Sequence, residues 1–219
     1  MAGTLLVFAS KQEFNFFFKN ISAVVASSTP ALIEPSVDAG IAGVGIVDFS
    51  ANLAHFFSQK KYERAFLLGI CGAYPKSGLQ IGDVVRVDSE VIADMGAQGR
   101  DGHFIPWNAL VSKDICYKGA SPRDLSLCLA AIPEAAGGTV NCCTGTLYLG
   151  NRRESTFQIQ VEDMEGAAFF AVCKAFGVSG YQFRAVSNMA SDRDESSWDI
   201  PKALSALKQS VLDQLLDSR

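Results

Sequence analysis

The stretch Val161-Glu162-Asp163-Met164-Glu165-Gly166-Ala167-Ala168-Phe169-Phe170 decides how this chain is read, together with Phe183-Arg184-Ala185-Val186-Ser187-Asn188. In the first, acids stand where an apolar segment begins; in the second, a hydrophobic run ends in polar groups. Proteins that alternate buried strands with helices place their chemistry at such strand ends. Asp163 can N-cap a helix from Met164 to Phe176 that Gly177 ends, and this helix is apolar nearly all round, so it must be central. Ile159 to Glu162 reads as the strand before it. Gly180 to Ser187 reads as the buried strand after it, interrupted by Arg184, a charge that needs a partner.

Toward the N-terminus, Thr4 to Ala9 is a continuous apolar run, as expected of a strand covered on both faces. Glu13 follows it. That carboxylate either lies on the ligand edge of the sheet or merely opens a helix from Phe14 to Asn20, where the helix dipole favours an acid. Val24 to Ala26, Ala31 to Glu34 and Ala39 to Val44 read as short strands, and Ile46 to Ser58 as a helix. The Gly43-Val44-Gly45 that leads into this helix lacks the third glycine of a dinucleotide fingerprint, so NAD is not predicted. Ala65 to Ala73 is the next buried strand, and its Gly69 and Gly72 suit either close approach to a ligand or simple turn geometry.

Val84 to Met95 alternates apolar and polar residues, which predicts a strand exposed on one side, and Gly96 to Pro106 reads as a glycine-rich loop that could cover a pocket. Lys113 to Ser121 is expected as surface loop, Leu125 to Ile132 as a short helix, and Gly138 to Thr146 as a strand with its exit turn. Pro201 to Leu216 places its apolar residues on one stripe, a helix with proline in its first turn.

The 219 residues, 48% hydrophobic, are expected to form one domain spanning 1–219. A formal charge of -4 supplies no field for nucleic acid, and no apolar run reaches the ~18 residues of a membrane span. The opening Met1 to Ser10 lacks the positive region of a signal peptide, so a cytoplasmic protein is expected, with small molecules or other subunits as partners. The six cysteines form no CxxC pair and mostly fall in apolar runs, which predicts reduced, buried thiols. With only His55 and His103, a His-rich metal site is excluded and a His-dependent triad is not expected.

Glu13 after the first strand, Gly69-Ile70-Cys71-Gly72-Ala73, Ile81-Gly82-Asp83, Val161 to Ala167 with its Met-Glu, and Arg184 to Ser187 form an ordered set. In order and rough spacing it resembles the purine nucleoside phosphorylase and nucleosidase superfamily, over about Thr4 to Asp194. Within that superfamily the chain looks most like the futalosine hydrolases of menaquinone biosynthesis, relatives of the methylthioadenosine/S-adenosylhomocysteine nucleosidases. The resemblance implies an α/β fold: a three-layer α/β/α sandwich around a central mixed, twisted sheet, usually as a homodimer. It also implies hydrolysis of a purine N-glycosidic bond without metal or organic cofactor.

Breaking that bond builds positive charge on the ribose and negative charge on the purine, so carboxylates must face the sugar and donors the base. By resemblance Glu13 is the general base for the attacking water, Glu165 accepts from ribose hydroxyls, and Met164 floors the sugar. Arg184 would pair with a carboxylate near the water. Tyr148, with Leu149 beside it, falls where the related nucleosidases stack an aromatic on the purine; Gly72 and Ser187 complete the expected binding set. Phe104, Arg193 and Trp198 are candidate contacts for the carboxylated aromatic group on the 5′ side of futalosine.

Two departures from the wider superfamily bear on chemistry. Adenine-releasing relatives carry an aspartate where this chain has Asn188, and an amide cannot supply that proton. It can donate and accept at once, which suits a 6-oxopurine such as hypoxanthine. Several phosphorylases place an arginine at the position of Leu67, and without that charge water is the expected nucleophile rather than phosphate. Inosine-type or methylthioadenosine/S-adenosylhomocysteine nucleosidase activity is the alternative enzyme reading; a nucleoside-binding sensor on the same scaffold is the non-enzymatic one.

Overall fold

The structure is a computed structural model that describes residues 3–19, 29–111 and 115–217. In chain order the elements are β1 (Gly3–Phe8), α1 (Lys11–Phe17), β2 (Ala31–Glu34), β3 (Val37–Ile41), α2 (Ile46–Gln59), β4 (Tyr62–Ala73) and β5 (Val84–Ile92). There follow β6 (Gly96–Gln98), β7 (Phe104–Pro106), α3 (Trp107–Val111), β8 (Tyr117–Lys118), α4 (Leu127–Ala130), β9 (Glu134–Thr139) and α5 (Leu147–Phe157). Then come β10 (Val161–Asp163), α6 (Gly166–Phe176), β11 (Ser179–Met189), α7 (Ile200–Leu207) and α8 (Asp213–Asp217), the last two joined by a π turn over Lys208–Leu212.

Among the described residues nine strands form one mixed sheet in the order β10-β9-β5-β11-β4-β1-β3-β2, with β8 on β5. Strands β1, β3, β4 and β11 run parallel, whereas β5 is antiparallel to β11. The period of two along β1 and β4 sorts their side chains onto two faces. Leu5, Val7, Ala65 and Leu67 pack with Phe49, Leu53, Phe169 and Cys173 of α2 and α6. Leu6, Phe8, Phe66 and Leu68 pack with Phe14 of α1 and Ala203 and Leu207 of α7. Helices therefore cover both faces, giving the three layers expected.

The sheet does more than lie flat. At its C-terminal end β4 also pairs antiparallel with β10, through Val161 opposite Ala73 and Glu162 opposite Gly72. Strands β4, β11, β5, β9 and β10 thus close on themselves. Closure covers both sides of β5, which has no exposed residue, so the one-sided strand expected over Val84 to Met95 is corrected. The Gly96 to Pro106 segment is a hairpin of β6 and β7 rather than an irregular loop. The strand expected before Thr146 is β9, which starts and ends earlier, and the central helix starts at Gly166. The expected strand at Val24 to Ala26 lies outside the described residues.

The thiol expectation holds for Cys71 and Cys173 only. Cys116, Cys128, Cys142 and Cys143 are exposed, because they sit in short surface segments whose apolar neighbours do not share one buried face. Among the described residues no helix is long and apolar enough to cross a membrane.

Candidate active site

The C-terminal ends of β1, β4, β10 and β11 meet at a cavity of about 210 Å³. It is lined by Glu13, Gly72, Met164, Glu165, Arg184, Ser187 and Asn188, and also by Arg193 and Trp198. Residues far apart in the chain are brought together here because the parallel strands β1, β4 and β11 present their ends on one edge of the sheet and β10 crosses antiparallel at the tip of β4.

Both readings of Glu13 are realised at once. Ser10 caps α1, Glu13 N–H donates to Ser10 Oγ (3.2 Å), and Glu13 Oε2 accepts from Ser10 N (3.0 Å) and Oγ (2.9 Å), a complete capping box. The other oxygen, Oε1, accepts from Ile70 N (3.1 Å) on β4. Gly69 makes this possible: a Cβ there would stand 2.5 Å from Glu13 Oε1 and 2.6 Å from Arg184 Nη1. Gly69 is also the register partner of Arg184 in the β4–β11 ladder, so its missing side chain is the space the two charged groups occupy.

Arg184 is 1% exposed, a guanidinium inside a sheet. Its Nη2 donates to Glu165 Oε2 (3.2 Å), and its Nε lies 3.2 Å from Asp163 Oδ2 in an ion pair. Burial opposes its charge, but the Asp163, Glu165 and Glu13 carboxylates outweigh burial and raise its pKa above the ordinary value. The ion pairs of Arg184 are thus with Asp163 and Glu165, and Glu13 acts on it through space. Glu165 stands at the N-cap position just before α6, but its side chain caps nothing there; its Oε1 accepts instead from Gly45 N (3.1 Å). Burial, against the pull of Arg184, pushes the Glu165 carboxyl up to about 7.

Asp163 takes over the capping, accepting at Oδ1 from Glu165 N (3.0 Å) and Gly166 N (2.8 Å). Its neighbour Glu162 was not singled out as a site residue by sequence, yet it lines the cavity. It accepts from Tyr74 Oη (2.9 Å), Thr144 N (2.8 Å) and Thr144 Oγ1 (2.6 Å), with Arg153 Nη1 at 3.4 Å. These bonds pin the Cys143–Thr144 segment that forms one cavity wall. The signal available in sequence was the run of acids itself, too long for one cap.

On the facing side, the β11–β4 register shifts between Val186 and Asn188. Such a bulge re-aims the side chain that follows it. Asn188 Nδ2 donates to Met189 O (3.2 Å) and its Oδ1 accepts from Ser187 Oγ (2.8 Å), leaving one N–H of the amide unspent. Burial pushes the Cys71 thiol up, so it stays neutral against the cavity. Leu67 lies two residues below Gly69 on the same face of β4, fully buried, and offers no charge.

Three expected contacts are not brought to this cavity. Tyr148 is 73% exposed, on the first turn of α5. Leu149 and Phe104 line a separate cavity of about 190 Å³ with Arg152, whose guanidinium lies 5.6 Å over the Phe104 ring. Arg193 and Trp198 do reach the main cavity, stacked at 5.0 Å.

The model of the phosphorylase superfamily matches residues 6–216. The chain is 35% identical over 175 residues to a futalosine hydrolase of Thermus thermophilus, covering 77% of this chain and 76% of the relative. It is 31% identical over 184 residues to a futalosine hydrolase of Acidothermus cellulolyticus, covering 79% and 72%. Among solved structures, a futalosine hydrolase mutant of Helicobacter pylori superposes with a TM-score of 0.77 at 16% identity, over 100% of both chains. A 5′-methylthioadenosine/S-adenosylhomocysteine nucleosidase of Campylobacter jejuni does so at 0.72 and 18% identity, over 96% of this chain and 95% of the other; both share the fold. The chain belongs to the phosphorylase superfamily and, within it, to the futalosine hydrolase family.

Proposed function

We propose that this protein hydrolyses the N-glycosidic bond of futalosine, releasing hypoxanthine and dehypoxanthine futalosine in menaquinone biosynthesis, as a cytoplasmic homodimer. The observation that carries the reading is the convergence of Glu13, Glu165 and Arg184 with an amide, Asn188, on one cavity. Glu13 takes a proton from water as the water oxygen bonds to C1′, the C1′–N9 electron pair leaves with the purine as its anion, and the anion is protonated from solvent as Glu13 gives up its proton. Glu165, held by Gly45 N–H and Arg184, accepts from the ribose hydroxyls over Met164. The unspent Asn188 N–H donates to the departing base, which stabilises its developing negative charge.

The absence of an acid at position 188 favours a 6-oxopurine over adenine as leaving group. Phe104, Tyr148 and Leu149 would contribute to substrate binding only through a rearrangement or a second subunit. Purified protein incubated with futalosine, inosine and methylthioadenosine, with released bases separated by chromatography, tests the reading. Hypoxanthine from futalosine is expected; adenine as the main product would overturn it.

A further inference from the structure

Behind the cavity, away from any substrate, lies a carboxyl group that the proposed chemistry does not use. Glu90 on β5 is 0% exposed, and no cation pairs with it among the described residues. Its Oε1 accepts from Gln182 Nε2 (3.0 Å) and its Oε2 from Thr139 Oγ1 (3.1 Å). The same Gln182 Nε2 donates to Asp163 Oδ2, so one amide group bridges two carboxyls and spends both its N–H donors doing so. Gln182 Oε1 is left buried without a donor. A Cβ on Gly166 would stand 2.2 Å from Glu90 Oε1 and 2.7 Å from Gln182 Oε1, and a Cβ on Gly137 would stand 2.2 Å from Glu90 Oε1. Two glycines thus leave space for the Glu90 carboxyl, and Gly166 for the Gln182 oxygen as well.

The charges do not balance if every acid here is ionised. Arg184 is the cation of the cluster, and it already serves Asp163 and Glu165. A buried carboxylate without a cation is strongly disfavoured, whereas a carboxylic acid carries a donor for an acceptor that lacks one. The groups facing Glu90 are Asp163 of β10, Arg184 and Gln182 of β11 and Thr139 of β9.

We propose that Glu90 is a positioning residue held as a neutral carboxylic acid, whose proton completes the Glu90–Gln182–Asp163 cluster and thereby fixes Arg184 against Glu165 and Glu13. Burial and the adjacent Asp163 carboxylate push the Glu90 carboxyl well up, outweighing Arg184 and the Gln182 bond. Ionised Glu90 would compete with Asp163 for the amide and drive the proton onto Asp163, weakening its hold on Arg184 Nε. The catalytic consequence rests on the function proposed above; the protonation state does not.

Glu90→Gln, which keeps a donor in place of the acid proton, is the primary test, with Glu90→Leu as the variant that removes it. Infrared difference spectra of wild type minus Glu90→Gln at pH 7 are expected to show the C=O band of a protonated carboxyl. On futalosine, Glu90→Gln is expected to keep kcat within about 3-fold, while Glu90→Leu loses about 100-fold in kcat with KM changed far less, as for a misplaced catalytic group. A carboxylate band in the difference spectrum, or a Glu90→Gln variant as slow as Glu90→Leu, would overturn the proposal. Should Glu90→Leu not fold, the spectrum and the Glu90→Gln kinetics still decide it. Wild type that released no hypoxanthine would refute the function while leaving the infrared test, which needs no substrate, in force.

Discussion

At the scale of single residues, the site spends its side chains twice. Glu13 closes a capping box with one oxygen and offers the other to Ile70 N–H and the cavity. Glu13→Gln removes the base and keeps one acceptor oxygen, so that either Ser10 N–H or Ile70 N–H loses its partner. It is therefore expected to lower kcat on futalosine by about 100-fold or more while the melting temperature falls only by what one lost hydrogen bond costs, read by steady-state kinetics beside thermal denaturation. Asn188→Asp places an acid where the amide now donates, and is expected to shift base preference toward 6-aminopurines; unchanged selectivity between inosine and adenosine would count against Asn188 as the base-reading group. Glu165, pushed up to about 7 by burial, gives a third test. Its ionised form pairs with Arg184 and, under the function proposed above, would accept from ribose, so kcat/KM should rise with pH through a limb near 7, and that limb should vanish in Glu165→Gln. The stability sign is opposite. A carboxyl whose folded pKa is raised contributes stability below its unfolded pKa and loses it as pH climbs through about 7. Urea denaturation should therefore find the wild type losing more stability than Glu165→Gln between pH 5 and pH 8.

At the scale of elements, strands β4 and β11 make the site by register. Gly69 opposite Arg184 leaves the hollow that holds the guanidinium and Glu13, so Gly69→Ala should displace both while the sheet persists. The expected cost is about 1–3 kcal/mol of stability and a far larger fractional loss of activity, measured by denaturant titration beside turnover. Much of this was legible in sequence: Glu13 after a buried strand, the Gly69-to-Gly72 run, the acids before an apolar helix and the arginine inside a strand. What was not legible followed from tertiary closure. Alternation along Val84 to Met95 predicts a half-exposed strand because periodicity cannot see that β5 ends up between β9 and β11. Tyr148 and Leu149 follow a motif with the expected spacing, but the residues of α5 that become buried are Gly150 and Arg153, which no local pattern marks. Glu90 reads as a polar residue of an alternating strand and Gln182 is passed over in a buried one, yet both lie at the centre of the charge cluster. The Gly43-Val44-Gly45 turn proved to carry a donor for Glu165 rather than a nucleotide fingerprint.

At the scale of the whole molecule, the cavity draws on widely separated parts of the chain, from Ala9 to Ile200. A ligand that fills it links those parts and should stabilise the fold as a unit. Hypoxanthine at a hundred times its Kd would add about 2.7 kcal/mol. Scanning fluorimetry should accordingly show a rise in melting temperature with hypoxanthine that an equal concentration of adenine does not match; equal shifts would remove the argument from Asn188. The strand that joins the two parts of the sheet, β4, has a further consequence during synthesis. Its pairing with β1 is available once Ala73 has left the ribosome, but its other edge waits for β11 and its tip for β10. For that interval a long apolar strand stands with one edge open, the condition under which nascent chains stick to each other. The order of translation thus makes β4 the segment through which a folding chaperone would be expected to hold this protein, until the last third of the chain arrives to cover it.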